Sequence, residues 1–139
     1  MENGQKGKVL IVEDDMLLSM VEERLIKRLG FEVIGKVTKG KEAIEKQEEL
    51  NPDIIVMDIS LKGDMDGIEA MEAIREKSDV PVIYLSGSGD RYSLERAKKT
   101  GFTDFLTKPV TGGDLKEPLY SAMNANNANS GNSQILKSA

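Results

Sequence analysis

Lys8-Val-Leu-Ile-Val12 runs directly into Glu13-Asp14-Asp15, and the reading of that junction decides the fold. Val9 to Val12 are apolar without interruption and rich in β-branched residues, the signature of a strand covered on both faces. Three acids at its end would be expelled from such a core, so the chain must turn there. From Met16 to Leu29 the apolar positions Leu18, Val21, Leu25 and Leu29 recur at spacings of three and four, the stripe of an amphipathic helix, and Gly30 supplies its C-terminal stop.

The same unit recurs along the chain. Phe31 to Val37 reads as a strand and Lys39 to Leu50 as a helix with Ala43 and Ile44 turned inward, ended by Asn51-Pro52. Asp53 to Met57 is a third strand, followed by a helix from about Gly67 to Lys77. The strand Val80 to Leu85 carries Pro81 near its start, where a missing amide is tolerated. Helix Asp90 to Thr100 stops at Gly101, strand Phe102 to Thr107 follows, and Lys108-Pro109 leads to a last helix from about Gly113 to Met123. Five strands alternating with five helices predict an α/β fold: a doubly wound, five-stranded parallel sheet of flavodoxin-like (βα)5 type, since parallel neighbours need helical crossovers of this length. The domain spans residues 8–123, preceded by a polar segment, 1–7, and followed by an Asn-rich tail or linker, 124–139, too poor in apolar residues to offset its ordering entropy.

Composition narrows the chemistry. The 139 residues, 39% apolar and 31% charged, are those of an ordinary globular domain. The absence of cysteine and histidine excludes thiol nucleophiles, zinc-type sites, disulfides and a histidine base, leaving carboxylates, hydroxyls and lysines. A net charge of −5 with no basic stripe argues against direct nucleic-acid binding. The first apolar run is too short for a signal peptide or membrane span, so neither a membrane association nor export is expected and the cytoplasm is the default location.

In such sheets ligands bind at the carboxyl ends of the strands, near the point where strand order reverses. Those ends carry Glu13, Asp14 and Asp15 after strand one, Asp58 and Ser60 after strand three, Ser86 and Gly87 after strand four, and Lys108 after strand five. Taken singly, each is an ordinary cap or turn residue. Together they would set three carboxylates, a hydroxyl and an ammonium on one edge, short of one cation. Mg2+ suits that gap, because it takes octahedral oxygen coordination from one or two carboxylates with waters and phosphate oxygens. Asp58 is then a candidate nucleophile toward a phosphoryl donor, with Lys108 and Ser86 beside the developing charge.

Val12-Glu-Asp-Asp15, Val56-Met-Asp-Ile59, Asp66-Gly67, Leu85-Ser-Gly87 and Lys108-Pro109 closely resemble the receiver domains of two-component response regulators, over residues 8 to about 123. The resemblance implies that Glu13 and Asp14 are the magnesium-binding pair, Asp14 directly and Glu13 through water, with Asp15 starting the first helix. It implies further that Asp58 is phosphoacceptor and metal ligand, that Ser60 lends its main-chain carbonyl to the metal, and that Ser86 is the switch hydroxyl. Gly87 would bring its amide to the phosphoryl group, Lys108 would bind it, and Phe105 would be the aromatic that moves with Ser86. The peptide before Pro109 is expected to be cis. A sensor histidine kinase or phosphotransfer protein would be the donor, and the face of the fourth helix, fifth strand and fifth helix a homodimer or partner surface. The domain would be a phosphoacceptor, not an enzyme, that assists its own phosphoryl transfer and autodephosphorylation, at a rate depending on Ser60 and Ser88.

Two departures from the family pattern stand out. The loop Ser60 to Asp66 is one residue longer than the commoner form and has Gly63 but no proline. Pro118 falls inside the last helix, where only a place in or just after the first turn avoids a kink. Two rival readings come from other classes. A magnesium-dependent phosphohydrolase with an Asp nucleophile would normally carry a second Asp two residues on, where this chain has Ser60. A pseudo-receiver adaptor that never carries phosphate is opposed by the intact acids and Lys108.

Overall fold

The computed structural model describes residues 6–87 and 91–138, with side chains for all of these except Arg91 and 126–138. In chain order the elements are β1 (Lys8–Val12), α1 (Met16–Arg28), β2 (Glu32–Val37), α2 (Gly40–Leu50), β3 (Ile54–Asp58), α3 (Gly67–Arg75), β4 (Val82–Ser86), α4 (Arg91–Lys98), β5 (Asp104–Thr107) and α5 (Gly112–Ser138). All strand pairs are parallel in the order β2-β1-β3-β4-β5, so the expected doubly wound sheet is present.

Each strand alternates its side chains between two cores, as its period of two requires. Leu10, Val12, Ile55, Met57, Val82 and Tyr84 face α2, α3 and α4, meeting Ala43, Ile68, Met71, Ile74 and Ala97. Val9, Ile11, Ile54, Val56, Ile83 and Leu85 face α1 and α5, meeting Ile26, Leu115, Leu119 and Ala122. With both faces covered, the central strands are apolar throughout, which is why they read as continuous runs. Register then aligns their ends: Val12 pairs with Met57, Asp58 with Leu85, and Ser86 with Thr107. Glu13, Asp58, Ser86 and Lys108 therefore follow one another along a single sheet edge.

Local chemistry fixes the connections at that edge. Asp15 is the N-cap of α1, accepting from the Leu17 and Leu18 amides at 2.9 and 3.0 Å. Asp66 caps α3 in a reciprocal capping box with Glu69. Gly67, the first residue of α3, lies so close to β3 that a Cβ there would sit 2.2 Å from the Asp58 carbonyl oxygen. Only glycine lets α3 start against the strand that carries Asp58.

Two expectations need correction. The buried line of α1 is Ser19, Glu22 and Ile26, while Val21 is 44% exposed and Leu25 and Leu29 lie at the flank. The apolar stripe misplaces the helix by part of a turn because two of its inward positions are polar. Pro118 does fall inside the last helix, as the seventh residue of α5 and so in its second turn, and the Asp114 carbonyl lacks an amide donor four residues on. The helix also continues past Met123 to Ser138, no glycine or proline intervening before Gly131 to stop it.

Candidate functional site

The acids at the end of β1 separate by environment. Glu13 is buried, its side chain 0% exposed, and Asp14 is half-buried and accepts the Lys62 amide N–H at 2.9 Å, tying the loop after β3 to the end of β1. Asp15 is taken up as the helix cap, and Glu13 and Asp14 are the two acids of this triplet whose oxygens cluster with Asp58. Asp58, the last residue of β3, is buried; its Oδ1 accepts the Ser60 amide at 3.1 Å and lies 3.1 Å from Lys108 Nζ.

Lys108 reaches the same point from the end of β5. Its Nζ is 3.1 Å from Glu13 Oε1 and 3.4 Å from Oε2, so one ammonium spans the two buried carboxylates. The Lys108–Pro109 peptide is cis, as expected, and the Lys108 amide donates to the Ser86 carbonyl at 2.8 Å. Ser86 ends β4 and is buried, and Gly87 after it is exposed, with no described atom within 4 Å of where a Cβ on it would stand. Ser88 lies outside the described residues.

Electrostatics follow from this crowding. Burial, and after it the Glu13 charge, raise the Asp58 carboxyl to about 6 against the pull of Lys108. Burial pushes Lys108 down, but Asp58 and Glu13 outweigh it and leave the ammonium raised. Oxygens of Glu13, Asp14 and Asp58 all lie within 4.8 Å of one another. Three carboxylates against one ammonium fit a hard divalent cation, which would relieve their mutual repulsion.

Comparison with known proteins identifies the architecture. Residues 9–120 match the response regulator receiver domain family. The chain belongs to that family. Chemotaxis protein CheY of Thermotoga maritima is 37% identical over 113 residues, covering 81% of this chain and 93% of that protein. A protein-glutamate methylesterase/protein-glutamine glutaminase of Archaeoglobus fulgidus is 41% identical over 105 residues, 73% of this chain, but this chain spans only 30% of its length. The transcriptional regulatory protein PdtaR of Mycobacterium tuberculosis is likewise matched over 52% of its length, at 34% identity over 78% of this chain. Among solved structures, the signal receiver domain of a modulated diguanylate cyclase from Desulfovibrio desulfuricans superposes with a TM-score of 0.81 at 31% identity, covering 87% of this chain and 96% of that one. This is a response regulator receiver domain of the two-component kind, and among the described residues no helix is long and apolar enough to cross a membrane.

The receiver edge thus brings together Glu13, Asp14, Asp58 and Lys108 in direct or near contact, with Ser86 and Ser60 on the adjoining strand ends. Phe105 sits further along β5, half-buried, its ring 6.2 Å from Tyr84 and 5.8 Å from Phe102. One residue at the edge was missed by sequence reasoning. Glu22 of α1 is 2% exposed on the inward line of that helix, and burial, followed by the nearby Glu13, raises its carboxyl to about 9. Its only sequence signal is phase, since Ser19, Glu22 and Ile26 recur at spacings of three and four beside the more apolar stripe.

Proposed function

We propose that this receiver domain is a phosphorylation switch that accepts a phosphoryl group on Asp58 from the phosphohistidine of a cytoplasmic sensor histidine kinase or phosphotransfer protein. The observation that carries the reading is the bridge of Lys108 between the buried carboxylates of Asp58 and Glu13, a half-buried cation held at the oxygens where a phosphoryl group would arrive. Mg2+, held by Glu13, Asp14, Asp58 and the Ser60 carbonyl, would supply the charge that draws the donor's phosphoryl oxygens into the site. The Ser60 amide and Lys108 both donate to Oδ1, so Oδ2 of Asp58 is assigned as the nucleophile. With its carboxyl at about 6, Asp58 is ionised at neutral pH.

The Asp58 oxygen attacks phosphorus, the P–N bond breaks, its electron pair leaves with the donor imidazole, and an acyl phosphate remains. The transition state is loose and needs positioned charge more than proton transfer, which suits a site without histidine. Lys108 moves from Asp58 Oδ1 to a phosphoryl oxygen, and the Ser86 hydroxyl and Gly87 amide turn toward the others. Ser86 pairs with Thr107, two residues from Phe105, so movement of the β4 end is felt along β5. Phosphate thereby biases two arrangements of the α4–β5–α5 face, a surface for a partner or a second copy.

Incubation with acetyl phosphate and Mg2+, read by intact mass, tests the proposal. Wild type gains one phosphoryl group, and Asp58→Ala and an EDTA-treated sample gain none. No adduct on wild type, or an adduct retained in Asp58→Ala, overturns it.

A further inference from the structure

Tyr84 brings a hydroxyl into the apolar core between the sheet and α3 and α4, where it is 0% exposed. Its oxygen lies 2.7 Å from Oγ1 of Thr100, a buried residue in the turn that closes α4. The Thr100 hydroxyl donates to the Ala97 carbonyl at 2.7 Å, so its single proton is taken and Tyr84 is the donor of the pair. Phe and Val would fill the same space, and a buried hydrogen bond exchanged for apolar groups of the same shape is nearly neutral for stability. Stability alone therefore does not select this pair. What it supplies is a fixed distance and direction between β4 and α4. Tyr84 lies two residues before Ser86 on the same face of β4, and it pairs across the sheet with Phe105, the rings 6.2 Å apart. From α3, Arg75 grips the same turn after α4, donating to the Thr100 carbonyl at 2.7 Å and the Gly101 carbonyl at 3.0 Å.

We propose that Tyr84 is a positioning residue of the switch, its hydrogen bond to Thr100 being the contact that carries movement of the β4 end into α4; this rests on the phosphorylation reading above. When Ser86 turns toward a phosphoryl oxygen, the end of β4 and Phe105 shift, and Tyr84 stands next to both on one face of the sheet. A bare phenyl ring would absorb that shift by sliding over α4, because apolar contact has no fixed direction. The hydroxyl cannot slide without giving up a buried hydrogen bond, so Thr100 follows it. Because Arg75 holds the Thr100 and Gly101 carbonyls against α3, α4 turns about that end and does not move away as a whole. By reciprocity, a partner that holds α4 alters phosphoryl uptake through the same contact.

Tyr84→Phe and Thr100→Val each remove the hydrogen bond and keep the shape, and Thr100→Ser keeps the hydroxyl. Each protein is read by its amide shifts with Mg2+ and beryllofluoride, a stable mimic of the phosphoryl group, minus those with Mg2+ alone. A merely structural effect of the substitution is the same in both states and cancels in the difference. Tyr84→Phe and Thr100→Val are expected to melt within about 5 °C of wild type. Both should keep the wild-type displacements at Asp58 and Lys108, while those of Leu94 and Ala97 in α4 fall below about half. Thr100→Ser is expected to retain them. Wild-type displacement of the α4 amides in Tyr84→Phe or Thr100→Val, or as large a loss in Thr100→Ser, overturns the inference, as does a loss that extends to Asp58. Failure of both Tyr84→Phe and Thr100→Val to fold contradicts the premise that the pair is near neutral for stability. If wild type responds at Asp58 but not in α4, this inference falls alone. If it does not respond at Asp58, the phosphorylation reading falls, and this inference with it.

Discussion

Asp58 sits where a carboxylate is poorly tolerated, at the buried end of a central strand with Glu13 alongside. Its carboxyl is raised from the ordinary 3.8 to about 6, so the folded state holds its proton more tightly than the unfolded chain does. The stability Asp58 contributes is therefore present in full below about pH 4 and is lost as pH rises through 6. Asp58→Asn also leaves Glu13 and Lys108 as a one-to-one pair. In EDTA at pH 7 it should be more stable than wild type by about 1–3 kcal/mol in urea unfolding, a gap that closes on titration to pH 4. An Asp58→Asn variant less stable at pH 7 would mean that the carboxylate is well compensated. The site residues that directly follow apolar runs were legible in the sequence. Glu22 was not, because a charged residue inside a helical repeat is counted toward the solvent face unless its partner is known.

At the scale of elements, the tightest constraint is the start of α3. A Cβ on Gly67 would meet the Asp58 carbonyl at 2.2 Å and Ile59 Cα at 3.0 Å, backbone atoms that cannot rotate away. Gly67→Ala should cost about 3 kcal/mol by chemical denaturation, at the upper end of overpacking, and lower the phosphorylation rate because β3 must shift. Asp66, one residue earlier, caps α3 and also pairs with Arg96 of α4 at 2.9 Å. Loss of the cap in Asp66→Ala should cost about 1–2 kcal/mol. Arg96→Ala should cost under about 1 kcal/mol, because a quarter-exposed pair is screened by solvent. A double-mutant cycle measures their coupling, and a value of zero would mean that α4 is not tied to the loop after Asp58. Element order and type were legible from alternating runs of β-branched strand and helical period. The rotation of α1 was not, since Ser19 and Glu22 occupy its inward line while Met16, Leu17, Met20 and Val21 are exposed.

For the molecule as a whole, two apolar layers clamp a parallel sheet and force its polar residues to the carboxyl edge, where charge is out of balance. A bound divalent cation should therefore stabilise the entire fold through linkage. Mg2+ at 10 mM is expected to raise the melting temperature by about 2–5 °C over a sample of equal ionic strength in NaCl, an effect that EDTA reverses and Asp14→Asn removes. An equal rise in Asp14→Asn would place the cation elsewhere. That the sheet is parallel and doubly wound was legible from the crossover lengths, because right-handed βα units admit few arrangements.

The central claim is that Asp58 carries the phosphoryl group, and borohydride trapping tests it most directly. The protein is treated with acetyl phosphate and Mg2+, reduced with borohydride, which converts an aspartyl phosphate to homoserine, and mapped by peptide mass spectrometry. The account predicts homoserine at position 58 and nowhere else. Homoserine at Asp14 or Asp64, or unmodified Asp58 in protein that has taken up phosphate, would contradict it.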